Sequence, residues 1–304
     1  MGVKGQVIGV DFNEEMLAVA RKYQLEMANI LGCHNVRFLK GKIQDLALNL
    51  DLAERWLKDN PIHSFAEIAA WETECDRLRR EHPLIPDEHI DLVVSNCVLN
   101  LVCPQDKQQL FQEIYRVLKP GGRVVISDIV CDEPPTPEIL ADPELWSGCV
   151  AGAFQESEFL EQFAQAGFYG MEILERSTQP WQVIDGIEFR SLTVRAFKGK
   201  DGPCLERNQA VIYKGPWKQV MDDEGHILYR GQRMAVCDKT LRIYTSSSSP
   251  YSRHLIPVEP YEAISLETAQ PFNPQRSQWR HPRETKGVNY QLTDMSNPGC
   301  CSPE

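Results

Sequence analysis

Hydrophobic positions in the first two-thirds of the chain alternate between two rhythms. Gln6-Val-Ile-Gly-Val10 is a short apolar run that predicts a strand, and Asp11 follows it. Met16, Leu17, Ala20, Tyr23, Met27 and Ile30 then recur at helical spacing. Asn13 stands at the N-cap position, Glu14 and Glu15 fall in the first turn, where the helix dipole favours acids, and Gly32 marks the stop. Asn35-Val-Arg-Phe-Leu39 predicts a second strand, with Gly41 to Leu46 as the loop after it. Leu52, Trp56 and Leu57 outline one amphipathic helix, and Phe65, Ile68, Ala69, Trp71, Cys75 and Leu78 outline another. The run Asp76-Arg-Leu-Arg-Arg-Glu81 reads as a solvated face.

The segment Ile90-Asp-Leu-Val-Val-Ser-Asn-Cys-Val-Leu-Asn-Leu-Val102 organises the rest. Its near-continuous apolar start predicts a central strand buried on both faces of a parallel sheet. It turns polar at Ser95, Asn96 and Cys97, and open α/β sheets gather ligands at the carboxyl ends of their strands. Pro104 and Gln105 open a helix with Leu110, Phe111, Ile114, Val117 and Leu118 on one face, which Lys119-Pro-Gly-Gly122 ends. Arg123 to Val130 predicts another buried strand. Asp142 to Ala153 is rich in small residues around Trp146 and Cys149 and predicts a tight, partly buried segment. Ser157 is expected to cap a helix carrying Phe159, Leu160 and Phe163, which Gly167 stops. Tyr169 to Glu175 and Ser191 to Phe197 predict two closing strands. Strands and helices in this order define an α/β fold, a doubly wound and mainly parallel sheet. An acid at the place of Asp11 accepts hydrogen bonds from ribose hydroxyls in nucleotide-binding folds of this kind. A solvated carboxylate at a strand end is the alternative.

Beyond Lys198 the pattern changes to short strand-like runs at Gln209–Tyr213, Trp217–Met221, Ile227–Tyr229, Met234–Cys237 and Leu241–Thr245. Asp222-Asp-Glu-Gly225 is a turn, so a small antiparallel β unit is expected. The organisation expected is a first domain over 1–198 with a helical insertion at about 49–88, a β unit over 199–246, and an irregular, Cys-ending tail over 247–304.

The 304 residues carry a formal net charge of −11, which disfavours nucleic acid or an anionic membrane as partner. There is no apolar run of membrane-spanning length and no signal-peptide pattern, so a cytoplasmic protein is expected. In that compartment its ten cysteines are expected to be reduced thiols, and none forms a C-x-x-C zinc motif.

Several of these segments resemble class I S-adenosylmethionine methyltransferases: Val-Ile-Gly-Val-Asp11, Met16-Leu-Ala-Val-Ala-Arg21, Val36-Arg-Phe-Leu-Lys-Gly41, Ser95-Asn-Cys-Val98 and Glu113-Ile-Tyr-Arg-Val-Leu-Lys-Pro-Gly-Gly122. More narrowly, Ser-Asn-Cys-Val-Leu-Asn-Leu and Asp-Pro-Glu-Leu-Trp-Ser-Gly-Cys-Val-Ala-Gly-Ala resemble the arsenite methyltransferase family, over roughly residues 5 to 198. The resemblance implies a Rossmann-like sheet, S-adenosylmethionine as methyl donor and transfer of its methyl to thiol-bound trivalent arsenic. It also implies glutathione or a thioredoxin-like thiol as reductant or arsenic carrier. It makes Asp11 the ribose-binding acid and places Ile43 and Gln44 along the adenine, where the family commonly has Glu in place of Gln44. Asn96 and Cys97 match the strand end that faces the methionine moiety, and Cys149 matches a cysteine that binds arsenic.

Two departures accompany the match. The family's partner arsenic cysteine in the seventh strand corresponds here to Leu192. The chain also begins at the family's second strand, so the first strand, its Gly-rich loop and the preceding helices with further cysteines have no counterpart, and the sheet is expected to have a gap.

Thiolates are the natural ligands of soft trivalent arsenic. Three of them leave the arsenic lone pair free to attack an electrophilic methyl, so the chemistry asks for positioning rather than a strong base. Cys149 and Cys97 are the candidate catalytic ligands, and the adjacent Cys300 and Cys301 are a further candidate chelating pair. Packing is the alternative role for each buried thiol. Two other readings follow from the departures: a methyltransferase with another small-molecule acceptor, motivated by Leu192, and a non-catalytic metalloid-binding remnant, motivated by the missing strand.

Overall fold

Local signals set the first elements. In the computed structural model, which describes residues 4–247, 249–274, 279–287 and 289–292, β1 (Val7–Asp11) runs into α1 (Glu14–Leu31). The Asn13 side chain accepts hydrogen bonds from the N–H groups of Glu15 and Met16, satisfying two otherwise unpaired donors of the first turn. Gly32 ends the helix at φ 68°, a left-handed conformation that costs glycine little. β2 (Val36–Lys40) pairs in parallel with β1. Next come α2 (Leu50–Asp59) and α3 (Phe65–Glu81), capped by Asn49 and Ser64. They pack through Trp56 and Trp71, with ring centroids 5.8 Å apart. Cys75 and Leu78 of the anticipated α3 face are buried, but Phe65, at the first position of the helix, is exposed.

β3 (Ile90–Asn96) is followed by a 3-10 turn at Leu99–Leu101, then by α4 (Lys107–Val117) and β4 (Leu118–Cys131). Short helices α5 (Pro137–Ala141) and α6 (Pro143–Ser147) lead to β5 (Phe154–Gln155), α7 (Glu156–Gln165), β6 (Tyr169–Arg176), β7 (Gln182–Ile184) and β8 (Ile187–Phe197). Ser157 lies inside α7 rather than at its cap, which is Gln155; the Gln155 side chain does not cap the helix and donates instead to the Asp132 carbonyl at 3.0 Å. The main sheet has the order β3-β4-β8-β6, with β5 against β4 and β7 against β8; β3 is parallel to β4, while β8 is antiparallel to both neighbours. Its core joins Leu110, Phe111 and Ile114 of α4 to Phe159 and Phe163 of α7, over Val124, Ile126, Leu192 and Val194 of the sheet.

One expectation is overturned here. The strand at Ile90–Asn96 is not a doubly buried central strand: Leu92 and Val94 are 41% and 66% exposed. Among the described residues β3 pairs only with β4, and β1 pairs only with β2. Each therefore presents an open edge, as the expected gap in the sheet implies. An apolar strand sequence records the propensity to be covered; a neighbouring strand has to supply the cover.

The chain divides at Gly199 and Lys200 into two units. In the second, β10 (Ala210–Tyr213) lies between β13 (Arg233–Ala235) and β14 (Leu255–Val258), antiparallel to both. β11 (Gln219–Met221) and β12 (Ile227–Tyr229) form a hairpin across the Asp222–Gly225 turn, and β9 (Leu205–Glu206) pairs with β15 (Gln270–Pro271). Two corrections fall in this unit. Leu241–Thr245 belongs to the helix α8 (Asp238–Thr245), not to a strand. Cys237 caps it through its sulfur, Asp238 occupies the first turn, and Thr240 and Tyr244 are buried one turn apart. The stretch after residue 246, expected to be irregular, contributes β14 to the central three-stranded sheet, because only pairing with β10 gives that segment its backbone partners.

Candidate functional site

β3 ends at Asn96, and the next residue, Cys97, takes a φ of 53°. Cys149, after α6, takes a φ of 60°. Left-handed conformations are uncommon for residues other than glycine and cluster where a side chain must be aimed. The Cys149 thiol lies 3.6 Å from the Cys97 carbonyl oxygen and donates towards it, and the Cys97 thiol donates to Asn96 Oδ1 at 3.7 Å. Residues from the end of a strand and from a loop more than fifty positions later are thus brought to one place.

Buried polar side chains hold this arrangement. Asp128, near the carboxyl end of β4 and 1% exposed, accepts hydrogen bonds from the N–H groups of Val98 (3.1 Å), Leu99 (2.9 Å) and Ile129 (2.9 Å). Asn100 is fully buried; its side-chain amide donates to the carbonyls of Ile129 (2.7 Å) and Cys149 (3.0 Å), tying the turn after β3 to the Cys149 segment. Gly152 lies against the same turn: a Cβ there would fall 2.0 Å from the Asn100 carbonyl oxygen, so only glycine permits the approach. Lys107, buried beneath the segment, donates to the Gly152 carbonyl and lies over the Phe154 ring.

The electrostatics keep the thiols protonated in the resting protein. Burial raises the pKa of both Cys97 and Cys149, and the Asp128 carboxyl adds to the rise. Asp128 is itself raised by burial, against the hydrogen bonds it accepts. Burial pushes Lys107 down to about 8. A thiophilic ligand at Cys97 and Cys149 would have to displace their protons.

The other anticipated positions lie near the two-stranded ribbon. Asp11 closes β1, opposite Lys40 of β2, and its Oδ1 accepts from the Asn13 N–H at 2.9 Å. Ile43 is half-buried against the main core, and Gln44 is half-buried in the same loop. Arg79, assigned to a solvated face, instead reaches the loop and donates to Asp45 Oδ2 from Nε at 3.1 Å and Nη2 at 3.0 Å. Cys300 and Cys301 lie outside the described residues.

Leu192 does not fill a vacated ligand position beside Cys149. It is 1% exposed and belongs to the core formed with α4 and α7. Alternation along β8 turns Ile187 and Phe189 to the opposite face, and those two share the cluster that contains Val150, the neighbour of Cys149. Asp128 and Asn100 went unnoticed in the sequence. The available signal was an acid within the apolar run Arg123–Val130, which a buried strand accommodates only when its oxygens are hydrogen-bonded.

A mixed sheet covered by helices, with chemistry-bearing residues at the carboxyl end of its strand β3 and of β1 in the neighbouring parallel pair, fits a class I methyltransferase fold. A methyltransferase domain family matches residues 78–167, and a domain of unknown function (DUF8838) matches residues 200–290. The structure of CrArsM from Chlamydomonas reinhardtii, described as an arsenic (III) S-adenosylmethionine methyltransferase, aligns over 90% of this chain and 82% of that one. The TM-score is 0.52 and the sequence identity 24%. The arsenite methyltransferase of Aquipseudomonas alcaligenes is 31% identical over 80% of this chain and 63% of its own length. The human arsenite methyltransferase is 30% identical over 81% and 59%. The chain is similar to these arsenite methyltransferases over about four-fifths of its own length, and spans less than two-thirds of the length of these two relatives.

Proposed function

We propose that this chain acts in the methylation of trivalent arsenic, with Cys149 and Cys97 as thiol ligands and S-adenosylmethionine as methyl donor. The supporting observation is the pair of left-handed cysteines at the end of β3, joined by the 3.6 Å contact from Cys149 to the Cys97 carbonyl. The donor fits the residues present at three points. Asp11 ends β1 with a carboxylate suited to ribose hydroxyls, Ile43 and Gln44 offer an apolar wall and an amide to an adenine, and Asn96 is exposed at the end of β3. When bound, S-adenosylmethionine supplies an electrophilic methyl group.

The chain's own residues then have three tasks. Cys149 and Cys97 exchange their protons for As–S bonds and leave the arsenic lone pair unshared. Asp128 and Asn100 hold the backbone that carries both sulfurs, so the acceptor is placed without reorganisation. The third sulfur comes from a small thiol such as glutathione or from a thioredoxin-like protein. No general base is needed, since the attacking pair is already on arsenic. By analogy with the curated relatives, the acceptor is arsenite or its thiol conjugates.

The same thiol pair also supports a second reading, in which the chain binds metalloid through these thiols without transferring a methyl group. One experiment separates the two. Cys149→Ser should abolish arsenic methylation while S-adenosylmethionine affinity, measured by calorimetry, stays within about twofold. Full activity in the variant overturns the assigned role. Arsenic binding in the unaltered chain with no measurable S-adenosylmethionine affinity selects the second reading.

A further inference from the structure

The C-terminal unit brings together a second set of thiols. Cys204, just before β9, Glu224 in the β11–β12 turn and Cys237 at the cap of α8 place their Sγ atoms and a carboxylate oxygen within 4.8 Å of one another. Cys204 Sγ lies 3.3 Å from Glu224 Oε2, and Cys237 Sγ lies 3.7 Å from the same oxygen. Thr240 completes the ring: its hydroxyl donates to Glu224 Oε2 at 3.3 Å, and its N–H donates to Cys237 Sγ at 3.3 Å. Lys239 Nζ pairs with Glu224 Oε1 at 2.8 Å, and Lys200 Nζ lies 3.7 Å from Oε2 and 3.3 Å from Asp222 Oδ2. Cys237 is fully buried, whereas Cys204 and Glu224 are partly exposed, so a small solute can reach the pair from one side.

We propose that Cys204 and Cys237, with Glu224 beside them, form a second binding site for trivalent arsenic, separate from the methyl-transfer site. Arsenous acid, As(OH)3, reaches the site uncharged. Two As–O bonds break and two As–S bonds form; each thiol proton leaves with a hydroxyl as water, and arsenic stays trivalent. The remaining As–OH donates to Glu224 Oε2. The product adds no charge to a cluster whose carboxylates are already ion-paired.

A divalent cation fits less well. Structural zinc sites use four protein ligands, whereas this cluster offers two thiols and a carboxylate already engaged by two ammonium groups. Two added positive charges would sit close to Lys200 and Lys239.

The test uses the full chain with Cys97, Cys149, Cys300 and Cys301 replaced by serine, which removes the other candidate arsenic thiols. The reduced protein is incubated with phenylarsine oxide, followed by native mass measurement and thiol titration. The expected result is one arsenical bound per chain and two fewer titratable thiols. Adding Cys204→Ser or Cys237→Ser should weaken binding on the order of 100-fold, because bidentate capture is lost. Circular dichroism confirms that each variant is folded. Arsenic X-ray absorption on the parent variant loaded with arsenite needs no further substitution, and should show two sulfur neighbours and one oxygen. Three results overturn the proposal: no arsenical bound to the folded parent, undiminished binding in both single-thiol variants, or a Cys204–Cys237 disulfide that persists under reductant.

Discussion

At Cys97 and Cys149 the backbone does the positioning, whereas at Cys204 and Cys237 side chains do. In the first pair both residues are left-handed, the turn between β3 and α4 hangs from Asp128 and Asn100, and the Asp128 carboxyl adds to the burial that raises both thiols' pKa values. In the second pair, Glu224, Asp222, Lys200, Lys239 and His226 surround the sulfurs with paired charges of both signs. Burial pushes Cys204 up to about 12, while Cys237 falls below the ordinary thiol range because hydrogen bonds from His226 and Thr240 outweigh its burial. A rigid, weakly charged pair suits a step that needs one geometry. A pair held by ion pairs suits capture and release. The contrast predicts that backbone changes damage the first site and charge changes damage the second.

The largest effect is expected at Gly152. Gly152→Ala forces a Cβ against the Asn100 carbonyl, which is backbone and cannot step aside, and should cost about 4 kcal/mol or more in urea unfolding. Unchanged stability would mean that the Cys149 segment is not pressed onto the turn. Asp128→Ala strips the acceptor from three N–H groups and should cost about 3 kcal/mol. Methylation should fall with it, while phenylarsine oxide binding at Cys204 and Cys237 persists. Loss of both together would show that the two sites are not independent.

The two units should respond to alkali with opposite signs. His226 is pushed down by burial but raised more by its hydrogen bond to Asp222, and titrates at about 9 instead of 6.5. A raised pKa gives stability that is complete below the unfolded value and lost as pH climbs towards 9. Lys107 titrates at about 8 instead of 10.5, so its buried charge opposes folding at neutral pH, and the first unit gains stability as pH rises between those values. Each effect is on the order of 3 kcal/mol. Hydrogen exchange resolved by peptide, with β12 and β13 compared with α4, reads both in one sample. His226→Gln and Lys107→Met should each flatten only their own unit's response.

The smallest effect sharpens the contrast most. Cys149→Gly relieves a left-handed residue and should raise stability by about 1 kcal/mol while abolishing methylation. Cys204→Gly, where no left-handed backbone is present, should show no such gain. A destabilised Cys149→Gly would remove the argument that conformational strain is held at this cysteine for function.

The one-dimensional pattern already contained the elements and half of the first site. Asn13, Gly32, Asn49 and Ser64 set helix ends through contacts within a few residues, and α4 follows its apolar spacing directly. Cys97 and Cys149 could be singled out because each stands in a specific short motif. Three things depended on tertiary structure. The exposure of β3 was decided by what pairs with its open edge, although its sequence reads as fully buried. Leu241–Thr245 became helix through the cap at Cys237 and the packing of Tyr244, against the strand preference of its residues. Cys204, Glu224 and Cys237 share no motif, and meet only when a turn, a cap and a strand entry converge. Caps and periodicity act over one or two turns of chain, so they are written locally. Burial, ion pairing and the convergence of thiols are properties of distant segments brought into contact, and folding alone specifies them.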